Sequence, residues 1–430
     1  MFTPSEIKDL EKHQLHVDVV ETQLSAIKNG LPELDIVQPA TLEKGIRKLD
    51  KAQEEKYIAL WEEYEKENHH VVKFVPASGA ATRMFKELYE FLQTGTETPH
   101  IQQVLSHLNQ FAFADLLQGR KGKEAIEYIL NDLQYGNLPK GLIPFHSYPD
   151  GARTPILEHL VEGVQYATSN HGKEVNIHFT IKQSDIELFD AYLAKYIPLF
   201  EKKYNVKYNV THSIQSPSTD TVAGNPDGTP FKDENGNLVY RPGGHGALLL
   251  NLNEIDADVI FVKNIDNVLP DKLREDTIRY KKILAGILLE ERYRSDKPTR
   301  VCGVVKNTGE PGGGPFIVRE ADGTISYQIL EQVQVKDQNL FQKSTHFNPV
   351  DLVCSTKNAQ GKKYDLTQFV DPNTALITRK SYKGKDLMAY ELPGLWNGSM
   401  AKWNTIFVEV PITTFSPVKT INDLLNEQHQ

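Results

Sequence analysis

Residues 71–88, VVKFVPASGAATRMFKEL, read as a buried strand, a loop of small residues and the start of a helix. The loop Ala77-Ser78-Gly79-Ala80-Ala81 carries no bulky side chain, so its backbone N–H groups are free to face an anion. The following helix would add the positive end of its dipole. Thr82 and Arg83 fall where that helix is predicted to begin. A hydroxyl beside a permanently charged guanidinium suits phosphate. A tight strand-to-helix turn with a surface arginine is the plainer alternative, and this stretch alone does not separate the two.

The chain around it has 430 residues, enough for two or three domains or for one elaborated α/β domain. With 39% hydrophobic and 24% charged residues it has the composition of a soluble protein. No apolar run approaches the roughly 18 residues needed to span a bilayer, which excludes a membrane-spanning reading. The first residues, MFTPSEIKDLEKHQL, mix charges and lack an apolar segment, so no secretory signal is read and a cytoplasmic location is expected. A net charge of −9 argues against a nucleic-acid partner, whereas a few local Lys and Arg residues can still hold a small anion. Cys302 and Cys354 are far apart with no CxxC spacing, and are expected to be packing residues rather than a disulfide or zinc ligands.

Residues 1–70 show helical spacing at Ile7, Leu10 and Leu15 and again at Ile58, Trp61 and Tyr64, predicting an N-terminal helical layer. A helical insertion is predicted over about 100–135 from Ile101, Val104, Leu105, Leu108 and Phe111. Lys140 lies between Pro139 and Gly141, and a helix should begin near Thr154-Pro155. Residues 175–182, 185–204 and 206–215 follow the rhythm strand, helix, strand of a mostly parallel sheet. The cluster Pro242-Gly243-Gly244-His245-Gly246 precedes a strand at 259–262 that is hydrophobic on both faces, and Asp266 comes just beyond its carboxyl end. Ligands of open α/β sheets are met at that edge, although an Asp-Asn pair is equally an ordinary turn former. From Val301 the chain is β-rich, with Glu331 assigned to a strand over 327–335 and His346-Phe347-Asn348-Pro349 to a turn.

In order along the chain stand SGAATR (78–83), PKG (139–141), Gln215, PGGHG (242–246), ADVIFVKNIDN (257–267), QILEQ (328–332), HFN (346–348) and FSPVK (415–419). In that order the blocks resemble the nucleotide-sugar pyrophosphorylases, most of all the UDP-N-acetylhexosamine type, over roughly residues 71–420. The whole chain also resembles a bacterial family known as domain of unknown function 4301. The resemblance implies an α/β fold of the glycosyltransferase-A, Rossmann-like kind, a mixed and mostly parallel sheet flanked by helices. It implies a helical region at 1–70, a nucleotidyltransferase-like core at 71–340 and a part at 341–430 that completes the sugar side of the site.

It further implies an enzyme that joins a nucleoside triphosphate, UTP in the first instance, to a sugar 1-phosphate with Mg²⁺. By this resemblance Ser78, Gly79, Ala80, Ala81 and Thr82 would bind the nucleotide, with Arg83 and Lys140 acting on the phosphates. Gln215, Gly244 and His245 would face the base, Asp266 would carry the metal ion, and Glu331, Asn348 and Lys419 would meet the sugar phosphate. Ser78 and Ala81 replace two glycines of the pyrophosphorylase loop, each adding a Cβ where backbone approaches phosphate, and His245 stands where those relatives carry Asn. Attack of a phosphate oxygen on the α-phosphorus needs charge neutralisation and in-line positioning more than acid–base groups, so no Ser-His-Asp arrangement is required. A protein that binds nucleotide or sugar phosphate without turnover, and a nucleotidyltransferase acting on a non-sugar phosphate, are the two other readings.

Overall fold

The computed structural model describes residues 2–79, 81–309 and 312–430. The fold is mixed α/β and divides into two compact units, each assembled from three separate stretches of chain. The divisions do not follow the sequence blocks 1–70, 71–340 and 341–430, because the chain passes repeatedly between units. The N-terminal helical layer is itself split at Asp50, and the last residues, Val410–Gln430, join the unit that contains the 71–88 loop.

That unit, Lys51–Ile214, Val259–Leu289 and Val410–Gln430, is built on parallel strands. Val259–Lys263 pairs with Val71–Pro76, which pairs with Glu174–Ile181, which pairs with Lys207–Ile214, all parallel. Valines and phenylalanines dominate these runs, and Val71 through Val75 and Val259 through Lys263 are buried throughout, as strands covered on both faces must be. The helix Pro155–Tyr166 starts where the sequence predicts, with Thr154 Oγ1 accepting from the Leu157 N–H and proline in the first turn. At Gly286 the helix Glu275–Glu291 comes so close to the helix Lys51–Glu65 that a Cβ would lie 2.2 Å from the Tyr57 carbonyl. The helices Pro99–Ser106 and Gly122–Glu127, with short connecting turns, close a core around Phe85, Phe113, Ile129 and Leu424.

The other unit, Met1–Asp50, Gln215–Asp258 and Glu290–Glu409, is β-rich. Ile46–Arg47, Asn404–Glu409 and Thr299–Lys306 run parallel in that order, with His346–Ser355 antiparallel to the last. Asp35–Pro39, Gly314–Arg319 and Ile325–Leu330 form a second, antiparallel sheet, and Leu376–Tyr382 pairs with Lys385–Glu391 as a hairpin. Cys302 and Cys354 are free and buried, as expected of packing residues. Two local assignments change. The strand that reaches Leu330 stops there, and Glu331 caps a short turn at Gln332–Gln334. His346, Phe347 and Asn348 lie inside a strand rather than a turn, because Asn348 holds a bulge at Val350, where φ is +56°. Among the described residues no helix is long and apolar enough to cross a membrane.

Candidate functional site

The strand Val71–Pro76 delivers the chain to the carboxyl edge of the parallel sheet, and the Ala77 N–H still donates to Thr180 O at 3.0 Å. Beyond it the loop is stitched to the segment that carries Lys140. The Lys140 N–H reaches Gly79 O at 3.4 Å, the Ala81 N–H donates to Leu138 O at 3.1 Å, and Thr82 Oγ1 donates to Gly136 O at 3.0 Å. A Cβ on Gly79 would meet nothing within 4 Å, so the space over the loop is open. Ala80 lies outside the described residues.

The helix begins later than the sequence predicts. Ala81–Arg83 is a single 3₁₀ turn, and the regular helix is Lys86–Thr94, with Phe85 at its N-cap and no side-chain cap. The positive end of that helix is therefore displaced from Thr82, because an α-helical turn needs successive N–H groups bonded four residues back. Here the Ala81 N–H is bonded across the loop to Leu138 O, and the Met84 N–H bonds only three residues back, to Ala81 O at 2.8 Å. Arg83 lines an open groove of about 920 Å³ together with Met84, Phe91, His100, Thr420 and Asn422.

Lys140 and Asp266 come together across the sheet edge. Lys140 Nζ donates to Asp266 Oδ2 at 3.1 Å and to Val418 O at 2.8 Å, and Lys419 Nζ donates to the same Oδ2 at 2.9 Å. Gly141 fits because Ile156 and Ile265 already stand 3.1 and 3.2 Å from where its Cβ would be. Burial pushes the Asp266 carboxyl up, but the Lys140 and Lys419 ammoniums outweigh it and hold the group below the usual carboxylate range. Asp266 is thus an anion carrying two cations, with net positive charge around Oδ2.

Lys419 belongs to a C-terminal strap fastened on both sides of it. The Val418 N–H donates to Asp266 O at 3.1 Å, and the Ile421 N–H donates to Met84 O at 3.1 Å. Further along, Ser416 Oγ meets His429 Nε2 at 2.9 Å, His429 Nδ1 meets His146 Nε2 at 2.9 Å, and His146 Nδ1 meets Glu158 Oε1 at 2.8 Å. Burial, reinforced by the neighbouring His146, pushes the His429 imidazole down to about 3. Nothing local in the sequence announces this fastening, since His146 and His429 are 283 residues apart.

The remaining residues singled out from the sequence lie in the β-rich unit. Gly244 and His245 open a 3₁₀ turn, Gly244–Ala247, ahead of the helix Leu248–Glu254. His245 is half-buried, its Nδ1 accepts from the Leu395 N–H at 3.1 Å, and its ring stacks on Trp396. Burial holds it below the usual histidine range, the Glu391 charge opposing. Glu331 lines the same narrow pocket as His245, with Glu391 and Asn397, two residues that the sequence does not single out. Burial, then the Glu391 charge, pushes the Glu331 carboxyl up. Gln215 lies beyond that pocket's lining, its Nε2 donating to Thr219 Oγ1 at 3.4 Å. Asn348 commits both ends of its amide to backbone, Nδ2 to Gly303 O at 2.9 Å and Oδ1 to the Val350 N–H at 3.1 Å, which makes it a strand-shaping residue.

The family model for a domain of unknown function, DUF4301, matches residues 3–296 and 292–430, which is nearly the whole chain. The chain belongs to the DUF4301 family. No curated protein matches this DUF4301 chain. Among solved structures it is similar to the inositol-1-phosphate CTP transferase from T. maritima, at 9% identity and a TM-score of 0.38, over 84% of this chain and 93% of that one.

Proposed function

We propose that the protein is a nucleotidyltransferase that forms a nucleoside diphosphate sugar and pyrophosphate from a nucleoside triphosphate, UTP first, and a sugar 1-phosphate. The observation that carries this reading is the cluster at the carboxyl edge of the parallel strands, where Lys140 and Lys419 meet on Asp266 beside the open 77–83 loop. Ligands of α/β sheets lie at that edge. A loop of small residues, the Arg83 fork and two ammoniums suit a polyphosphate and the charge that develops during phosphoryl transfer. The glycosyltransferase-A kind of fold is part of the same reading.

The residues fit Mg²⁺ only as an ion brought in by substrate. Mg²⁺ is commonly held by one or two carboxylates together with substrate phosphates. Asp266, whose Oδ2 already carries both ammoniums, supplies one carboxylate and would hold the ion together with substrate phosphates. When bound, the ion would neutralise phosphate charge. Lys140, pinned by Val418 O, would orient the triphosphate, and Lys419, whose side chain is 62% exposed, would draw the incoming phosphate.

The binding-only reading is favoured by two features. In Lys140 the ammonium is already spent on Asp266 and Val418 O, and Ser78 and Ala81 stand where pyrophosphorylases have glycine. A pyrophosphate-release screen over the common nucleoside triphosphates and hexose 1-phosphates with Mg²⁺, run beside Asp266→Ala, decides between them. Release by the wild type and its loss in the variant supports the enzyme. Nucleotide-dependent thermal stabilisation without release supports the binding reading, and neither response sinks both.

A further inference from the structure

The pocket shared by His245, Glu331, Glu391 and Asn397 has a chemistry that the nucleotidyl reaction does not require. It sits wholly within the β-rich unit, at the end of the strand Ile325–Leu330 and of the hairpin strand Lys385–Glu391. About 10 Å³ of it is open to the centre of a water-sized group, room for one small polar group rather than a ring.

Its polar lining is rich in acceptors. Asn397 is 2% exposed, and its Nδ2 donates to Ile329 O at 3.1 Å while its Oδ1 has no hydrogen-bond partner. Flipping the amide would set Oδ1 against that carbonyl oxygen, so the orientation is determined. A buried acceptor left unmatched is costly and marks a place where a donor belongs. The space before it is kept by Gly394, whose Cβ would fall 2.9 Å from Asn397 Oδ1 and 2.3 Å from His245 Cε1. Glu391 presents Oε2 toward Gly244, while its Oε1 takes Thr378 Oγ1 at 3.3 Å and the Lys380 ammonium at 3.4 Å. Glu331 feels the Glu391 charge directly. Two carboxylates against one half-exposed lysine leave the pocket with an excess negative charge.

A phosphate or carboxylate would be repelled here, and a lone hydroxyl would bring one donor and no charge. A metal ion is disfavoured, since among the described residues no three His, Cys, Asp or Glu side chains converge to hold one. An ammonium brings three N–H donors and one positive charge to three acceptor groups, Glu331, Glu391 and Asn397 Oδ1. We propose that this pocket recognises the primary ammonium group of a small ligand, such as an amino sugar or amino alcohol. The inference stands on the β-rich unit by itself and does not depend on nucleotidyl transfer.

The test is calorimetric titration of the full chain near neutral pH with glucosamine, N-acetylglucosamine, glucose and ethanolamine. Glucosamine should bind at least about 10-fold more tightly than its acetylated and hydroxyl counterparts, the discrimination expected when charge-assisted donors are lost. Glu391→Gln and Glu331→Gln, which keep side-chain shape, should each weaken glucosamine by about 10-fold or more while leaving the melting transition in place. The comparison of ligands on the wild type needs no variant, so a misfolded variant does not rescue the proposal. Equal or tighter binding of N-acetylglucosamine or glucose would overturn it in favour of a hydroxyl site. Saturable Mg²⁺ binding abolished by Glu331→Gln would overturn it in favour of a cation site. No binding of either amine would overturn it outright.

Discussion

Among the described residues of the parallel-strand unit, two lysines meet on one carboxylate at Glu162 and again at Asp266, and the two clusters differ in access to water. In the first, Lys73 Nζ and Lys263 Nζ each take one oxygen of Glu162 at 2.8 Å, and all three side chains are at most 1% exposed. In the second, Lys140 and Lys419 share a single oxygen of Asp266, and the Lys419 side chain is 62% exposed. The sealed cluster leaves no oxygen of Glu162 free for a ligand and braces two neighbouring strands against the helix Pro155–Tyr166. The open cluster concentrates positive charge at the sheet edge where a ligand can arrive. Identical chemistry is structural where it is dry and available for binding where it is half wet, because desolvation sets what a charge can exchange.

The sharpest way to break this comparison is to remove the sealed carboxylate. Glu162→Gln leaves two buried ammoniums without their anion and should cost roughly 3–5 kcal/mol in urea unfolding, the scale of breaking a buried pair. A loss below about 1 kcal/mol, as for surface pairs, would mean that the cluster is hydrated and the distinction fails. Next in size, Asp266→Asn should lower turnover in the pyrophosphate-release assay by about 10² or more, the scale of removing transition-state electrostatic stabilisation. Its stability loss should be smaller than that of Glu162→Gln, measured in the same urea series.

Two pH experiments sharpen the contrast further. Burial pushes the Lys73 ammonium down to about 7 against the pull of Glu162. The unfolded chain therefore binds more protons from about pH 7 up to the ordinary lysine range, and stability should rise with pH there. The slope should be up to about 1.4 kcal/mol per unit and should vanish in Lys73→Met, read from denaturation midpoints. The smallest effect concerns the strap. His429 is held down to about 3, so its contribution is complete above the ordinary histidine value and is lost as pH falls from there toward about 3. In hydrogen exchange the amides around Val418 and Ile421 should lose protection on acidification before those of the strand Val71–Pro76. Simultaneous loss in both segments would show that the strap is not a separate weak point.

Much of the parallel unit is legible in the sequence, for a local reason. Runs such as Val71 to Val75 and Val259 to Val262 bury both faces, and Thr154-Pro155 combines a cap with the one residue that favours a helix's first turn. Asp266 just past a buried strand, and Lys140 between proline and glycine, stand out on the same terms. The helix expected at Thr82 starts at Lys86, because the Ala81 N–H is taken by the Leu138 carbonyl across the loop and the Met84 N–H bonds only three residues back, to Ala81 O. Glu331 leaves its strand for a turn, which puts it beside Glu391 and Asn397, residues with no local signature.

By itself the sequence determines that the chain is an α/β protein, where its buried strands and several helix starts fall, and which loop of small residues faces the sheet edge, since these follow from side-chain periodicity and backbone restriction over a few residues. Only the tertiary structure decides that Lys140 and Lys419, 126 and 153 residues from Asp266, share one of its oxygens, that Lys73 and Lys263 are sealed on Glu162, and that Asn397, with its orphaned amide oxygen, lines one pocket with two carboxylates. The reason is that charge strength depends on burial and on partners brought from far along the chain, and neither quantity is written in any short stretch of residues.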